Sequence, residues 1–340
     1  MKYRDAGVNI DIAQESVKKI RRLARETFSP SVLTDIGSFG ALFEMSTKFA
    51  EPVLVSSADG VGTKLEISSM TERYDTTSYD LVNHCVNDIL TTGATPLFFL
   101  DYIATTKLNG NMVEEIIRGL TKGCKENDCS LVGGEMAEMP DFYKEKHYDI
   151  AGFIVGIVEK KEIPNINNIK PGDILIGLKS NGLHTNGFSL VRKIIFGKLK
   201  LTVEEYIPEI KNYVGDELLR THRSYFPLLS SLRETGIIKG YAHITGGGFI
   251  DNLPRILPHD CSCKIDSSKW EIPSIFDFLR EQGSIPINEM FRTFNMGIGM
   301  IIVIEPKHKQ KVEKYFKEKD EDFLEIGTIT KGNKKVEIAF

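Results

Sequence analysis

The chemistry in this sequence gathers first at Asp59-Gly60-Val61-Gly62-Thr63-Lys64. A carboxylate suited to a divalent cation stands beside two glycines whose backbone N–H groups can approach an anion. A hydroxyl and an ammonium follow. A nucleoside triphosphate with its Mg²⁺ needs those groups. The spacing fits neither common phosphate loop. A Walker A loop sets its glycines farther apart, and the dinucleotide fingerprint requires glycine where Leu65 stands. The other reading of the segment is a tight turn with a surface lysine.

A second group lies on one helical stripe. Asp80, Asn83, His84, Asn87 and Asp88 follow i, i+3, i+4, i+7, i+8 spacing and share a face. Val82, Cys85, Val86, Ile89 and Leu90 fill the rest of that helix, and the apolar run Leu97-Phe98-Phe99-Leu100 follows. In that buried context the stripe reads as facing a cleft. Asp88 is then a second metal carboxylate, and His84 a polar-face residue outside the ligand set. Asp101 closes the apolar run, as a third acid or as a strand-end cap. Leu131-Val132-Gly133-Gly134-Glu135 repeats the pattern of strand, glycines and carboxylate. Glu135 is placed to ligate metal or hold a substrate amine; a plain Gly-Gly turn is the alternative.

Two further loops suit anions. Ser180-Asn181-Gly182-Leu183-His184-Thr185-Asn186-Gly187 precedes a helix, and so does Thr245-Gly246-Gly247-Gly248. Helix N-termini bind phosphate through free N–H groups and the dipole. Three successive glycines are entropically costly for a simple turn. His184 and His243 are each able to serve in proton transfer, although lone histidines are more often structural.

The elements that must hold these groups follow from periodicity. Helices are expected over 11–26, 79–92, 112–127, 188–196, 216–234, 250–257 and 307–317. Strands are expected over 52–56, 97–104, 130–132, 150–158, 174–178, 298–304, 323–329 and 336–340, with a mobile loop over 27–40. The intermixing lacks a βαβα rhythm, so the expected class is α+β, each domain a mixed or antiparallel sheet packed with helices. Length supports two domains. The stretch 163–173, with two prolines and three asparagines, marks the boundary. Residues 1–165 form an expected ATP- and metal-binding domain, and residues 166–340 one that contributes substrate-binding glycine loops.

Composition narrows the partner. Net charge is −4 and no basic block stands out, which argues against nucleic acid. The five cysteines show no C-x-x-C pair, so reduced thiols are expected. No apolar run is long enough for a membrane span or a secretory signal. The expectation is a cytoplasmic protein acting on a small molecule.

In order and spacing the segments together resemble the phosphoribosylformylglycinamidine cyclo-ligase family, the aminoimidazole ribonucleotide synthetases. The resemblance runs from Tyr3-Arg4-Asp5-Ala6-Gly7-Val8-Asn9 and Phe39-Gly40-Ala41-Leu42, through Asp59 to Lys64, Cys85 to Tyr102, Leu131 to Pro140 and Ser180 to Arg192, to His243 and Met290 to Met300. It implies a ligase of purine biosynthesis. ATP phosphorylates the formamide oxygen of formylglycinamidine ribonucleotide; a substrate nitrogen then closes the ring and expels phosphate. It also implies Mg²⁺, a monovalent cation such as K⁺, and a homodimer formed by the N-terminal sheets. Asp59, Gly60, Gly62, Thr63, Lys64, Asp88, Gly133, Gly134 and Glu135 are assigned to ATP, with Asp59, Asp88 and Glu135 on metal. Asp101, Asn186, Gly187, Thr245, Gly246, Gly247 and Gly248 are assigned to substrate. Lys64, Asp59, Asp88, His184 and His243 are the catalytic candidates. The family usually has Thr at Met136 and Gly at Asp141, and more glycine in Asp35-Ile36-Gly37-Ser38; those departures touch contacts in two loops. Related chemistries on similar loops are those of selenophosphate synthetase and thiamine-phosphate kinase. The former wants an N-terminal reactive cysteine, whereas the first cysteine here is Cys85. A nucleotide-binding paralogue without catalysis is the non-enzyme alternative.

Overall fold

The computed structural model describes residues 10–144 and 147–340. The chain divides into two compact units, each with its own sheet. The first comprises the chain up to Ile89 together with Ala94–Lys160. Its elements are α1 (Ile10–Arg25), β1 (Pro52–Gly60), α2 (Leu65–Thr71), α3 (Asp75–Leu90), β2 (Thr95–Thr105), α4 (Gly110–Glu126), β3 (Ser130–Glu138) and β4 (Tyr148–Glu159). The sheet order is β1-β4-β2-β3. Strand β4 runs antiparallel to both neighbours, while β2 and β3 are parallel, joined by the crossover through α4.

Register places Asp59, Gly152, Asp101 and Gly134 in one row across this sheet. Leu81, Val82, Cys85, Val86 and Ile89 of α3 are buried with Phe99, Ile103 and Ile154 of the strands. Each such side chain contributes about 1.5–3 kcal/mol by leaving water. Helix α4 approaches α3 closely because Gly119 and Gly123 lack side chains. A Cβ at Gly119 would fall 2.0 Å from the Asp75 carbonyl oxygen. Asn109 caps α4 by accepting from the N–H groups of Asn111 and Met112.

The second unit comprises Leu90–Gly93 and Lys161–Phe340. It contains β5 (Ile174–Lys179), α5 (Phe188–Arg192) continued by a π-helical turn, the short hairpin β6 (Tyr206–Ile207) and β7 (Asn212–Tyr213), α6 (Val214–Leu218), α7 (Phe226–Arg233), β8 (Ile238–His243), α8 (Gly248–Asn252), β9 (Cys261–Asp266), α9 (Ser274–Gly283), α10 (Ile287–Thr293), β10 (Ile298–Ile304), α11 (Lys309–Glu318), β11 (Leu324–Lys331) and β12 (Val336–Ala339). The six-stranded sheet has the order β12-β9-β11-β5-β10-β8, with β12 parallel to β9 and the other pairs antiparallel. Every residue of β10 is buried, as befits an uninterrupted apolar run in the sheet interior. Both units are thus mixed sheets packed with helices, the expected α+β class.

Three differences from the periodicity have physical causes. Strand β3 does not stop before Gly133 but continues to Glu138, because β2 supplies a parallel partner throughout: Leu100 faces Gly133 and Asp101 faces Gly134. The helix expected over 216–234 is two helices, α6 and α7. Between them His222 and Tyr225 turn into the core, and Pro227 opens α7. Strands β8 and β9 carry no clean alternation, because both faces are largely covered: five of six residues in β8 and four of six in β9 are buried. All five cysteines are free and buried. Among the described residues no helix is long and apolar enough to cross a membrane.

Candidate active site

In the first unit β1 and α3 bring Asp59 and Asp88 to the same imidazole. His84 Nε2 lies 2.8 Å from Asp59 Oδ2 and 3.9 Å from Asp88 Oδ2. The Ser57 hydroxyl donates to Asp88 Oδ2 at 3.4 Å, and the Gly60 N–H to Asp59 Oδ1 at 2.7 Å. His84 is buried, whereas the Asp59 and Asp88 side chains are 41% and 30% exposed. Burial pulls the His84 pKa down. The hydrogen bond to Asp59 and the charges of Asp88, Asp59 and Asp80 outweigh it, so the net shift is upward. Two part-exposed carboxylates with hard oxygen donors fit Mg²⁺ in donor type.

The polar stripe on α3 does not face an open cleft. Asp80 turns inward and meets Lys64, Nζ to Oδ2 at 2.6 Å, with both side chains wholly buried. Asn83 accepts from Asn127 Nδ2 at 2.9 Å inside the unit. The expectation that Lys64 offsets phosphate charge is therefore corrected. A buried ammonium without a counter-charge would be prohibitive, and α3 places Asp80 to supply that charge. Within Asp59 to Lys64, Gly62 and Thr63 are exposed while Val61 and Lys64 are buried, so the loop offers its first carboxylate, its second glycine and its hydroxyl.

Asp101, Gly133, Gly134 and Glu135 converge elsewhere. They line a cavity of about 610 Å³ closed by Gly37, Ser38, Phe39 and Gly40 and by Val17 and Ile20 of α1. Gly134 exists to admit Asp101: a Cβ there would fall 2.4 Å from Asp101 Oδ1. Asp101 is buried, and desolvation raises its pKa to about 7 against a weaker opposing backbone hydrogen bond. Glu135 is exposed and accepts from the Met136 N–H at 2.8 Å. It does not join Asp59 and Asp88 within one chain. Strands β4 and β2 stand between β1 and β3, a separation of roughly 14 Å at ~4.8 Å per strand, and alternation turns Glu135 to the opposite face from Asp59. That is a correction to the three-carboxylate metal set.

In the second unit the two glycine loops abut. A Cβ at Gly246 would lie 3.4 Å from Asn186 Oδ1. Asn252 Nδ2 gathers the carbonyls of Thr245, Gly246 and Gly248 at 3.4, 3.2 and 2.8 Å. Gly187 needs its lack of a side chain, with φ +78° and a virtual Cβ 2.2 Å from Phe294. Asn186, Gly187, Thr245 and Gly247 are half-buried and Gly246 is exposed, whereas Gly248 is enclosed against the Phe291 backbone. His184 is buried, stacks on His222 with ring centroids 4.1 Å apart, and accepts from the Asn181 N–H at 3.3 Å. His222 Nε2 in turn meets His243 Nε2 at 3.1 Å.

Three residues take part in the site beyond what local spacing indicates. His84 reads as a polar-face residue, and its i, i+4 relation to Asp88 is the one local signal for their contact. Asp80 lay on the same stripe, but nothing local names Lys64 as its partner. His222 had no local signal, because its partners Thr185 and His243 come from distant strands and loops.

The N-terminal domain profile described as AIR synthase related protein matches residues 45–158, and its C-terminal counterpart residues 170–339. Phosphoribosylformylglycinamidine cyclo-ligase of Thermoanaerobacter pseudethanolicus is 51% identical over 311 residues, 92% of each chain. The enzyme of the same name from Caldanaerobacter subterraneus subsp. tengcongensis is 50% identical over 332 residues, 98% of each. Among solved structures, thiamine-monophosphate kinase from Stenotrophomonas maltophilia superposes with a TM-score of 0.70 at 16% identity, covering 93% of this chain and 94% of that one. The hydrogenase maturation protein HypE in complex with ATP gives 0.59 at 14% identity, over 91% and 84%. Those two share the fold. The sequence matches span both units, and the chain belongs to the AIR synthase related family.

Proposed function

We propose that the chain is an ATP-dependent ligase of purine biosynthesis that closes formylglycinamidine ribonucleotide to 5-aminoimidazole ribonucleotide, releasing ADP and phosphate. The observation that carries this reading is identity near one half to cyclo-ligases over almost the whole of both chains. An amide oxygen is a poor leaving group, and its phosphorylation makes it a good one. The residues divide the task. Asp59 and Asp88 would hold Mg²⁺, which would supply positive charge to offset that of the phosphates. Gly62 and Thr63 offer N–H and hydroxyl donors beside Asp59, whose carboxylate the Gly60 N–H holds. Lys64 contributes through Asp80 by fixing the start of α2 against α3, at a remove from phosphate. Gly133, Gly134 and Glu135, with Asp101, line the cavity offered to the rest of the nucleotide or the substrate.

The ribose phosphate of the substrate is assigned to the joined loops at Asn186-Gly187 and Thr245-Gly246-Gly247. Holding one substrate nitrogen against the activated carbon supplies the remaining acceleration. The protein works in the cytoplasm as a homodimer. Leu54 and Phe153, exposed on the face of the first sheet turned away from α3, support that pairing. K⁺ is the proposed monovalent cation.

The test is direct. Pure protein is incubated with formylglycinamidine ribonucleotide, ATP and Mg²⁺, and the aminoimidazole product is read colorimetrically beside released phosphate. Stoichiometric product, ADP and phosphate are expected. Absence of product with ATP binding intact, across Mg²⁺ and K⁺ concentrations, would overturn the reading. Phosphate retained on the product would indicate a kinase.

A further inference from the structure

Helix α1 frames the cavity of the first unit. Its Val17 and Ile20 enter the lining directly. The helix is itself fixed from several sides. Leu23 and Ala24 are buried, and Lys19 Nζ meets Glu114 Oε2 of α4 at 2.9 Å. Just past its end, Thr27 Oγ1 accepts from the Leu131 N–H at 2.8 Å, and Ser130 Oγ donates to the Thr27 carbonyl at 3.0 Å. Ser130 and Leu131 open β3, whose Gly133, Gly134 and Glu135 line the same cavity.

Two arginines of α1 then reach the segment 35–41, which closes the cavity. Arg21 Nε and Nη2 both donate to the Ile36 carbonyl oxygen, at 3.0 and 2.8 Å. Arg25 Nε donates to Asp35 Oδ1 at 3.0 Å, and Arg25 Nη2 donates to Asp35 Oδ2. Asp35 Oδ1 also accepts from the Ile36 N–H at 2.9 Å. Gly37 makes room for the guanidinium: its φ is +102°, and a Cβ there would fall 3.0 Å from Arg21 Nη2. Ile36 is buried, although the composition around it reads as a mobile loop.

The two arginines differ in weight. The Arg25 and Asp35 side chains are 58% and 37% exposed, so water and salt screen their attraction. The Arg21 bonds are part-buried, and a carbonyl oxygen can only accept, so their direction is fixed. A guanidinium gives two charge-assisted bonds from one rigid plane, which a lysine ammonium cannot reproduce. A segment that the fold already holds also adds little ordering cost when a ligand enters.

We propose that Arg21 is a positioning residue that fixes the segment 36–41 over the cavity before any ligand arrives, so that a ribonucleotide meets a preformed site. Which ribonucleotide enters, ATP or formylglycinamidine ribonucleotide, rests on the cyclo-ligase reading above; the hold on the segment does not.

Two measurements test this. Phe39 and Phe142 are both exposed, so a chymotrypsin digest of the full chain without ligand reads the segment and a control loop together. Cleavage after Phe39 should rise about 10-fold in R21M and about 3-fold or less in R25M, with cleavage after Phe142 unchanged in both. R21K should fall between wild type and R21M. Equal cleavage after Phe39 in wild type and R21M overturns the proposal, whatever the enzyme assay gives. The second measurement is calorimetric binding of Mg²⁺–ATP and of formylglycinamidine ribonucleotide, beside kcat. R21M should weaken at least one of the two ligands about 10-fold, with kcat at saturation within about 3-fold of wild type. Unchanged affinity for both, or a loss in kcat as large as the loss in affinity, overturns the positioning role. Failure of the wild type to form the aminoimidazole product would sink the cyclo-ligase reading, while the digest would still decide the hold on the segment.

Discussion

Lys64 and Asp80 form an ion pair at 2.6 Å with neither side chain exposed to solvent. Breaking such a pair from one side leaves an uncompensated buried charge, which costs about 3–5 kcal/mol. Asp80→Ala should therefore lower the urea midpoint by that equivalent, and the double variant K64M/D80L should recover much of the loss. ATP binding by the folded fraction of K64M/D80L should remain close to wild type. A selective loss of ATP affinity at unchanged stability would return Lys64 to the phosphate site.

Asp59 and Asp88 predict the opposite signature. Both are part-exposed and meet at His84, so their removal leaves the core intact. Asp59→Ala and Asp88→Ala should each lose roughly 10²-fold or more in kcat, with far-UV circular dichroism and melting temperature near wild type. Mg²⁺ titration at saturating ATP checks the cause. Wild-type kcat in either variant excludes that residue from the metal site.

Asp101 carries a pH signature of defined sign. Its carboxyl titrates near pH 7 in the fold and near its ordinary 3.8 when unfolded, because burial disfavours the anion. Below about pH 4 it is protonated in both states and contributes nothing. From there to about pH 7 the unfolded chain binds fewer protons, so this group's contribution falls by about 1.4 kcal/mol per pH unit and then levels off. The melting-temperature difference between Asp101→Asn and wild type should grow in favour of Asn across that window. A difference that is flat with pH would contradict the assigned protonation.

Gly134 tests the same carboxyl from the other side. A Cβ at this position would sit 2.4 Å from Asp101 Oδ1 and 2.8 Å from its carbonyl oxygen. Gly134→Ala should cost about 1–3 kcal/mol by overpacking, read in chemical denaturation. Combining it with Asp101→Ala should give less than the sum of the two single losses, since one clash partner is gone. Strict additivity would mean that the two side-chain positions do not compete for the same space.

Much of the fold was legible along the chain because its signals are local. Helix α3 announced itself by 3.6-residue periodicity, β10 by an unbroken apolar run, and Asp59 and Asp88 by carboxylates beside glycine or on a polar stripe. The failures share a cause. Periodicity reports which residues share a face but not what lies opposite it. The stripe on α3 was correct as geometry, yet β1 and β4 decide that His84 meets Asp59, and the turn before α2 decides that Asp80 meets Lys64. Gly133 and Gly134 look like a turn in isolation, and only the pairing of β3 with β2 keeps them extended. The sequence by itself determined the class of chemistry, a carboxylate- and glycine-based site for a phosphorylated ligand. The tertiary structure decided which charges stay at the surface and which are neutralised inside, because burial and long-range partners, which no local spacing encodes, set the energy of each ionised group.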